Sequence, residues 1–132
     1  MLSVLRQVDV VISLLPIPQH LEQLGLIDAI KEVGNIKRFF PSEFGVESDR
    51  ANSLPPFQNI IDNKKKIRRV IKEAGISHTI VAGNGFGAYF ADYLLNPRQQ
   101  KDYTTIYGDD QAKGHFLLPI LFTRAIAKLI NV

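Results

Sequence analysis

Lys64 occupies the middle of an apolar helical stripe. On a helical wheel Phe57, Ile60, Ile67, Ile71 and Ala74 share one face, with Ile61 and Val70 at its margins. Lys64 follows Ile60 by four and precedes Ile67 by three, so it points the same way. Lys65 and Lys66 are rotated toward solvent. Two readings fit this placement. A lysine aimed into a cleft loses hydration, its pKa falls, and it can serve as a general acid or base. A lysine at the stripe's edge instead covers apolar surface with its stem and keeps its ammonium in water. The three histidines, His20, His78 and His115, are scattered without metal-ligand spacing, and there is no cysteine, so no metal site is expected.

The bulk numbers bound the possibilities. A chain of 132 residues, 45% hydrophobic and 22% charged, suits one globular domain. Its apolar runs are too short to span a bilayer, and Asp9 interrupts the N-terminal stretch where a signal peptide would be apolar. No membrane association is expected, and the missing cysteines fit a reducing, cytoplasmic setting. The net charge is +3. Basicity concentrates in KKKIRR, Lys64 to Arg69, which lacks the interleaved aromatics of a single-strand binder. The face carrying Lys65, Arg68, Arg69 and Lys72 reads as solvated, and nucleic-acid binding is not expected.

The elements that must hold Lys64 can be read in order. Val8 to Leu15 is a nearly continuous apolar run, predicted as a strand buried on both faces and ended by Pro16 and Pro18. A helix follows from about Gln19 to Val33, with Leu21, Leu24, Ile27 and Ile30 inward and Gly34 as its C-terminal cap. Lys37 to Phe40 is a second strand. Then comes a long loop carrying SEFG and Pro55-Pro56, its length suggesting function. The Lys64 helix runs from Phe57 to Ala74, and His78 to Ala82 is a third strand. Gly83, Gly85 and Gly87 mark a flexible turn before a short helix, Ala88 to Leu95. Tyr103 to Tyr107 and Lys113 to Phe116 read as strands, and the tail from Leu117 as a helix.

This alternation predicts an α/β fold with part of a doubly wound parallel sheet. Ligands of such sheets bind beyond the carboxyl ends of the strands. Ser13 to Pro18, Pro41 to Gly45 and Gly83 to Tyr89 fall there, and the Lys64 helix starts from the same edge.

VDVVIS, IKEVGNIKRFFPSEFG, KKKIRRVIKEAGI, NGFGAYF and IYGDDQAKG resemble the NmrA-like, atypical short-chain dehydrogenases. Within these, the chain is similar to the plant NADPH-dependent reductases of phenylpropanoid metabolism, the isoflavone reductase, phenylcoumaran benzylic ether reductase and eugenol synthase group. The resemblance runs from about Leu5 to Lys113. It implies an NAD(P)-binding Rossmann-type sheet and a small phenolic substrate. It puts the catalytic lysine at Lys64, against the nicotinamide ribose, as general base on a substrate phenol. Ser13, Leu14, Leu15 and Pro16 would line ribose and nicotinamide, and Ser42, Glu43, Phe44 and Gly45 would pack near the nicotinamide. Asn84 and Phe86 would stand at the junction of cofactor and substrate, with Tyr89 and Tyr93 on the substrate side. From the residues alone, SEFG also fits ordinary turn chemistry, Asn84 a helix cap, and the aromatics a core.

The departures shape the expectation. The family's glycine-rich loop, which cradles the pyrophosphate at a helix N-terminus, has no counterpart in these residues. Neither has the basic residue that selects the 2′-phosphate. After Lys113 the pattern is lost. The expected organisation is a partial Rossmann domain over 1–116, without its first strands and most of the substrate domain, and a divergent tail over 117–132. The activity is expected of a longer product, with NADPH binding by this stretch alone doubtful. The alternative is a non-catalytic, NADP-sensing or partner-binding role. An unpaired Val8 to Leu15 edge would favour association between copies.

Overall fold

In the computed structural model the described residues are 1–86, 116–117 and 128. The chain divides into two compact units, Met1–Ala82 and Gly83–Val132. The first begins with a short helix α1 (Leu2–Leu5) and strand β1 (Val10–Ile12). A 3-10 helix (Ile17–Glu22) leads directly into α2 (Gln23–Val33), followed by β2 (Arg38–Phe40) and α3 (Phe57–Glu73). β1 and β2 run parallel with Val10 opposite Arg38, Val11 opposite Phe39 and Ile12 opposite Phe40. A parallel bridge between Phe39 and His78 continues the sheet past β2. The predicted α/β order and parallel pairing are therefore present. In the second unit β3 (Gly85–Phe86) pairs parallel with β4 (Phe116–Leu117), where a flexible glycine turn was expected.

The core forms where helix stripes meet β2. Ile27 and Ile30 of α2, Ile67 and Ile71 of α3, Leu5 of α1 and Phe39 of β2 share one buried cluster with Ala29. Parallel strands joined by helices bring such stripes together because each crossover lays its helix back on the sheet. Gly34 ends α2 in the left-handed conformation at φ 69°, with its N–H on the Ile30 carbonyl, as its position after the last apolar turn predicted.

Five expectations need correction. The strand expected over His78 to Ala82 is reduced to the single bridge at His78. The first strand is three residues long, and it is not buried on both faces: Val8 and Ile12 are exposed. Among the described residues β1 is paired on one side only. The helix expected from Gln19 begins as a 3-10 helix at Ile17, with Pro16 as its N-cap and Pro18 in its first turn, and Leu21 is exposed. Phe57 opens α3 beyond the core and is 63% exposed, while Ile61, assigned to a margin, is buried. Arg68, assigned to the solvated face, is 5% exposed. The predicted helix Ala88 to Leu95 and strand Tyr103 to Tyr107 lie outside the described residues.

Phe39→Ala should cost about 3–5 kcal/mol, as expected for emptying a fully buried aromatic site. Phe57→Ala should change stability by no more than about 0.5 kcal/mol. Urea unfolding of the two variants, compared at equal m-value, checks both.

Candidate functional site

The site is built on the loop that leaves β2. Three backbone and side-chain bonds tie that loop to its surroundings. Ser13 N donates to the Phe40 carbonyl at 2.8 Å, which carries the parallel pairing one residue past β1. Ser42 Oγ donates to the Leu15 carbonyl at 2.7 Å. Ser42 N donates at 2.7 Å to Oε1 of Gln23, a fully buried side chain at the start of α2. Gln23 in turn donates to the His20 carbonyl at 3.1 Å. These contacts place the loops after β1 and β2 side by side at the carboxyl ends of their strands, where a parallel sheet binds its ligands.

α3 enters from the other side. Ile61, Lys64, Ile67, Arg68 and Ile71 are its buried residues, at three- and four-residue spacing on one stripe. The apolar members close the core, and the two cations meet the loop. Lys64 Nζ donates to the Glu43 carbonyl at 2.7 Å and lies 4.0 Å from Glu43 Oε2. A side chain built on Gly45 would touch the same Nζ at 3.4 Å. Arg68 donates through Nε to Glu43 Oε1 at 3.0 Å and through Nη2 to Oε2 at 3.1 Å. Its Nη1 reaches Glu47 and, at 2.9 Å, Asp49. Ser48 Oγ completes the Glu43 carboxylate at 3.2 Å.

Burial governs the charges here. Lys64 is 7% exposed, and desolvation pushes its pKa below the ordinary 10.5. Glu43 opposes that fall, while Arg68 adds to it. The stem does not carry the ammonium out to water, so the buried reading of Lys64 holds. Arg68 has the opposite outcome: burial alone would lower its pKa, but the bonds to Glu43 and Glu47 outweigh burial and raise it. The same Arg68 contact holds the Glu47 carboxyl below its usual range. His20 is buried on the 3-10 helix, and its pKa falls, first from desolvation and then from the charge of Lys64. Its Nδ1 and the buried Ser13 Oγ have no hydrogen-bond partner among the described residues.

Of the predicted site residues, Ser13, Leu15, Ser42, Glu43, Gly45 and Lys64 are brought together by these contacts. Phe44 belongs to the same loop and adopts φ 41°. Leu14 is 74% exposed and Pro16 is exposed, so they lie on the loop without entering its bonded network. Asn84, exposed at φ 49°, and Phe86, in β3, belong to the second unit. Tyr89 and Tyr93 lie outside the described residues. The sequence reading missed His20, Gln23 and Arg68. A signal existed for Arg68: it follows Lys64 by four on the same stripe, and the preceding loop carries Glu43, Glu47 and Asp49. Among the described residues no group of three metal-ligating side chains converges, and no helix is long and apolar enough to cross a membrane.

Comparison with known proteins identifies the family and the fold. The model of the NmrA-like family matches residues 1–119. Isoeugenol synthase 1 of Petunia hybrida is 58% identical over 114 residues, covering 86% of this chain and 35% of that protein. Eugenol synthase 1 of Petunia hybrida is 43% identical over 119 residues, covering 88% of this chain and 39% of that one. Among solved structures, "AtPrR2 with NADP+ and (+)pinoresinol" superposes with a TM-score of 0.82 at 39% identity, over 99% of this chain and 45% of that one. The binary complex of leucoanthocyanidin reductase with NADPH from Vitis vinifera gives 0.81 at 32% identity, over 96% of this chain and 44% of that one. The chain thus spans less than half the length of the relatives it matches.

The lowered Lys64 pKa has a measurable consequence for stability. Below 10.5 the unfolded chain binds the Lys64 proton more tightly than the folded chain does, so folding is penalised there. As pH rises from the lowered folded value to 10.5, that penalty disappears. The wild type should therefore gain stability relative to Lys64→Met across this window. Urea unfolding at several alkaline pH values checks this, and a constant difference would mean an ordinary lysine pKa in the fold.

Proposed function

The chain belongs to the NmrA-like family, and we propose that it forms the nicotinamide side of an NADPH-dependent reductase acting on phenolic, phenylpropanoid-type substrates. The observation that carries this reading is the Lys64 amine: buried, fixed at 2.7 Å to the Glu43 carbonyl, and lowered in pKa at the edge where the loops after β1 and β2 meet. A desolvated amine of this kind gives up its proton more readily than an exposed lysine, which suits it to general-base work. The identities to isoeugenol and eugenol synthases support the substrate class.

The residues present fit the nicotinamide end of the cofactor. Ser13 Oγ is a buried hydroxyl with no partner among the described residues, and such a group calls for a hydrogen-bonding ligand. Ser13, Leu14, Leu15 and Pro16 would hold the ribose and nicotinamide, with Ser42, Glu43, Phe44 and Gly45 beside them. Asn84 and Phe86 would contribute at the junction with substrate, and Tyr89 and Tyr93 beyond it. NADPH, when bound, supplies the hydride. Lys64 would take the proton of the substrate phenol, which raises electron density on the ring and drives out a leaving group or opens an ether on the side chain. Its own position is fixed by the Glu43 carbonyl, which accepts one N–H of the neutral amine and would leave the second N–H for the ribose and the lone pair for the phenolic proton. The exposed, apolar Leu14 would shield the reacting carbon from water.

The test is transfer of deuterium from C4-deuterated NADPH to a phenol with a leaving group on its side chain, by the full chain alone and by the full chain fused to the remaining segments of a full-length relative. Deuterium on the substrate carbon, lost at least 100-fold in Lys64→Ala, is the expected result, the upper part of a general base's contribution being about 10⁴. Undiminished transfer in Lys64→Ala would refute the base assignment.

A further inference from the structure

Glu43 presents two accepting groups to α3, and they are divided between two cations. Its backbone oxygen takes Lys64 at 2.7 Å. Its carboxylate takes the Arg68 fork, at 3.0 and 3.1 Å, together with Ser48 at 3.2 Å. Lys64 Nζ remains 4.0 Å from Oε2, beyond hydrogen-bond reach. Lys64 and Arg68 are one helical turn apart, so both can approach the same carboxylate. A planar guanidinium matches a carboxylate with two parallel bonds, which a compact ammonium cannot do. Arg68 is held from its other edge by Glu47 and Asp49, which fixes the fork toward Glu43.

We propose that Arg68 is a positioning residue for Lys64: by occupying the Glu43 carboxylate it prevents a hydrogen-bonded ion pair at Lys64 and leaves that amine on a neutral carbonyl, able to give up its proton. Without the fork, a buried carboxylate would have, among the described residues, Ser48 as its one remaining side-chain donor and an ammonium 4.0 Å away. Pairing would then hold the proton on Lys64. The charged and titratable groups that act on Lys64 among the described residues agree in direction. Glu43, on the loop, raises its proton affinity, and Arg68, from its own helix, lowers it. His20, on the 3-10 helix packed against α3, is kept neutral by burial and by Lys64 itself. Removing Arg68 takes away a lowering influence and frees a raising one. Glu47 and Asp49 act through Arg68, so their loss should weaken the same effect. The inference rests on the reading of Lys64 as a base, but it concerns proton affinity and can be measured without turnover.

The experiment is an NMR titration of the Lys64 ¹³Cε signal in the complete 132-residue chain, from neutral pH to above the ordinary lysine value. Wild type is compared with Arg68→Gln, Glu43→Gln, the double variant and Arg68→Lys. Arg68→Gln should raise the Lys64 midpoint by about one pH unit, a tenfold gain in proton affinity. Glu43→Gln should lower it, and the double variant should return toward wild type. Arg68→Lys keeps the charge without the fork and should give a smaller rise. A folded Arg68→Gln chain with an unchanged or lowered midpoint overturns the proposal. If Arg68→Gln does not fold, Arg68→Lys and Glu43→Gln decide: opposite shifts support it, and shifts of the same sign or none overturn it. Should the midpoints move as expected while Lys64→Ala keeps full deuterium transfer, the base assignment fails and the control of Lys64 by Arg68 stands.

Discussion

A buried carboxylate between two buried cations is the constraint on which the site depends. Glu43 is 6% exposed, Arg68 5% and Lys64 7%. None of these groups would be tolerated alone at such burial, because an unpaired charge in a low-dielectric interior costs several kcal/mol. Together they satisfy one another, and the satisfaction is geometric. Arg68 meets Glu43 with two bonds and uses its remaining edge for Glu47 and Asp49. The loop after β2 is thereby fastened to α3 at both of its acidic ends. Residues 43–49 gain their shape from a helix side chain rather than from secondary structure of their own.

The fastening explains why Lys64 is where a base would be useful. The hydrophobic stripe of α3 fixes the helix against α2 and β2 through Ile67 and Ile71. That packing carries Lys64 into the loop whether or not the polar contacts form. The Glu43 carbonyl then gives the ammonium one fixed acceptor, and the Arg68 fork keeps the stronger acceptor away. Two tasks are separated along one helix: apolar residues and Arg68 hold the fold, and burial leaves Lys64 with a depressed proton affinity. Gln23 plays the corresponding part on the other side, fixing Ser42 and with it the approach of the loop after β1.

Much of this was legible in the sequence. Periodicity placed a helix over Phe57–Ala74 with Lys64 on its apolar stripe, while leaving open whether the ammonium was buried, and Gly34 marked the end of α2. The carboxyl-end rule for parallel sheets then selected the segments that hold Ser13, Ser42 and Glu43. The failures have physical causes. A wheel scores Arg68 as polar and sends it to solvent, because a buried ion pair depends on acids 19 to 25 residues away that periodicity does not see. Val8 to Leu15 looked doubly buried because apolar composition does not tell whether a neighbouring strand is present. Leu21 was placed inward because the wheel assumed an α-turn where the chain forms a 3-10 helix, whose three-residue period turns the side chain elsewhere. His20 went unnoticed because a lone histidine has no pattern until the fold brings a lysine beside it.

The measurement that bears most directly on the central claim is a double-mutant cycle between Glu43 and Arg68, read as unfolding free energy in urea with Glu43→Gln, Arg68→Gln and the pair. If the fork fastens the loop to α3, each single change is costly, and the double costs less than the sum by roughly 1–3 kcal/mol. Strict additivity would contradict the account, since the loop would then hold its place beside Lys64 without the contact on which its position is argued to depend.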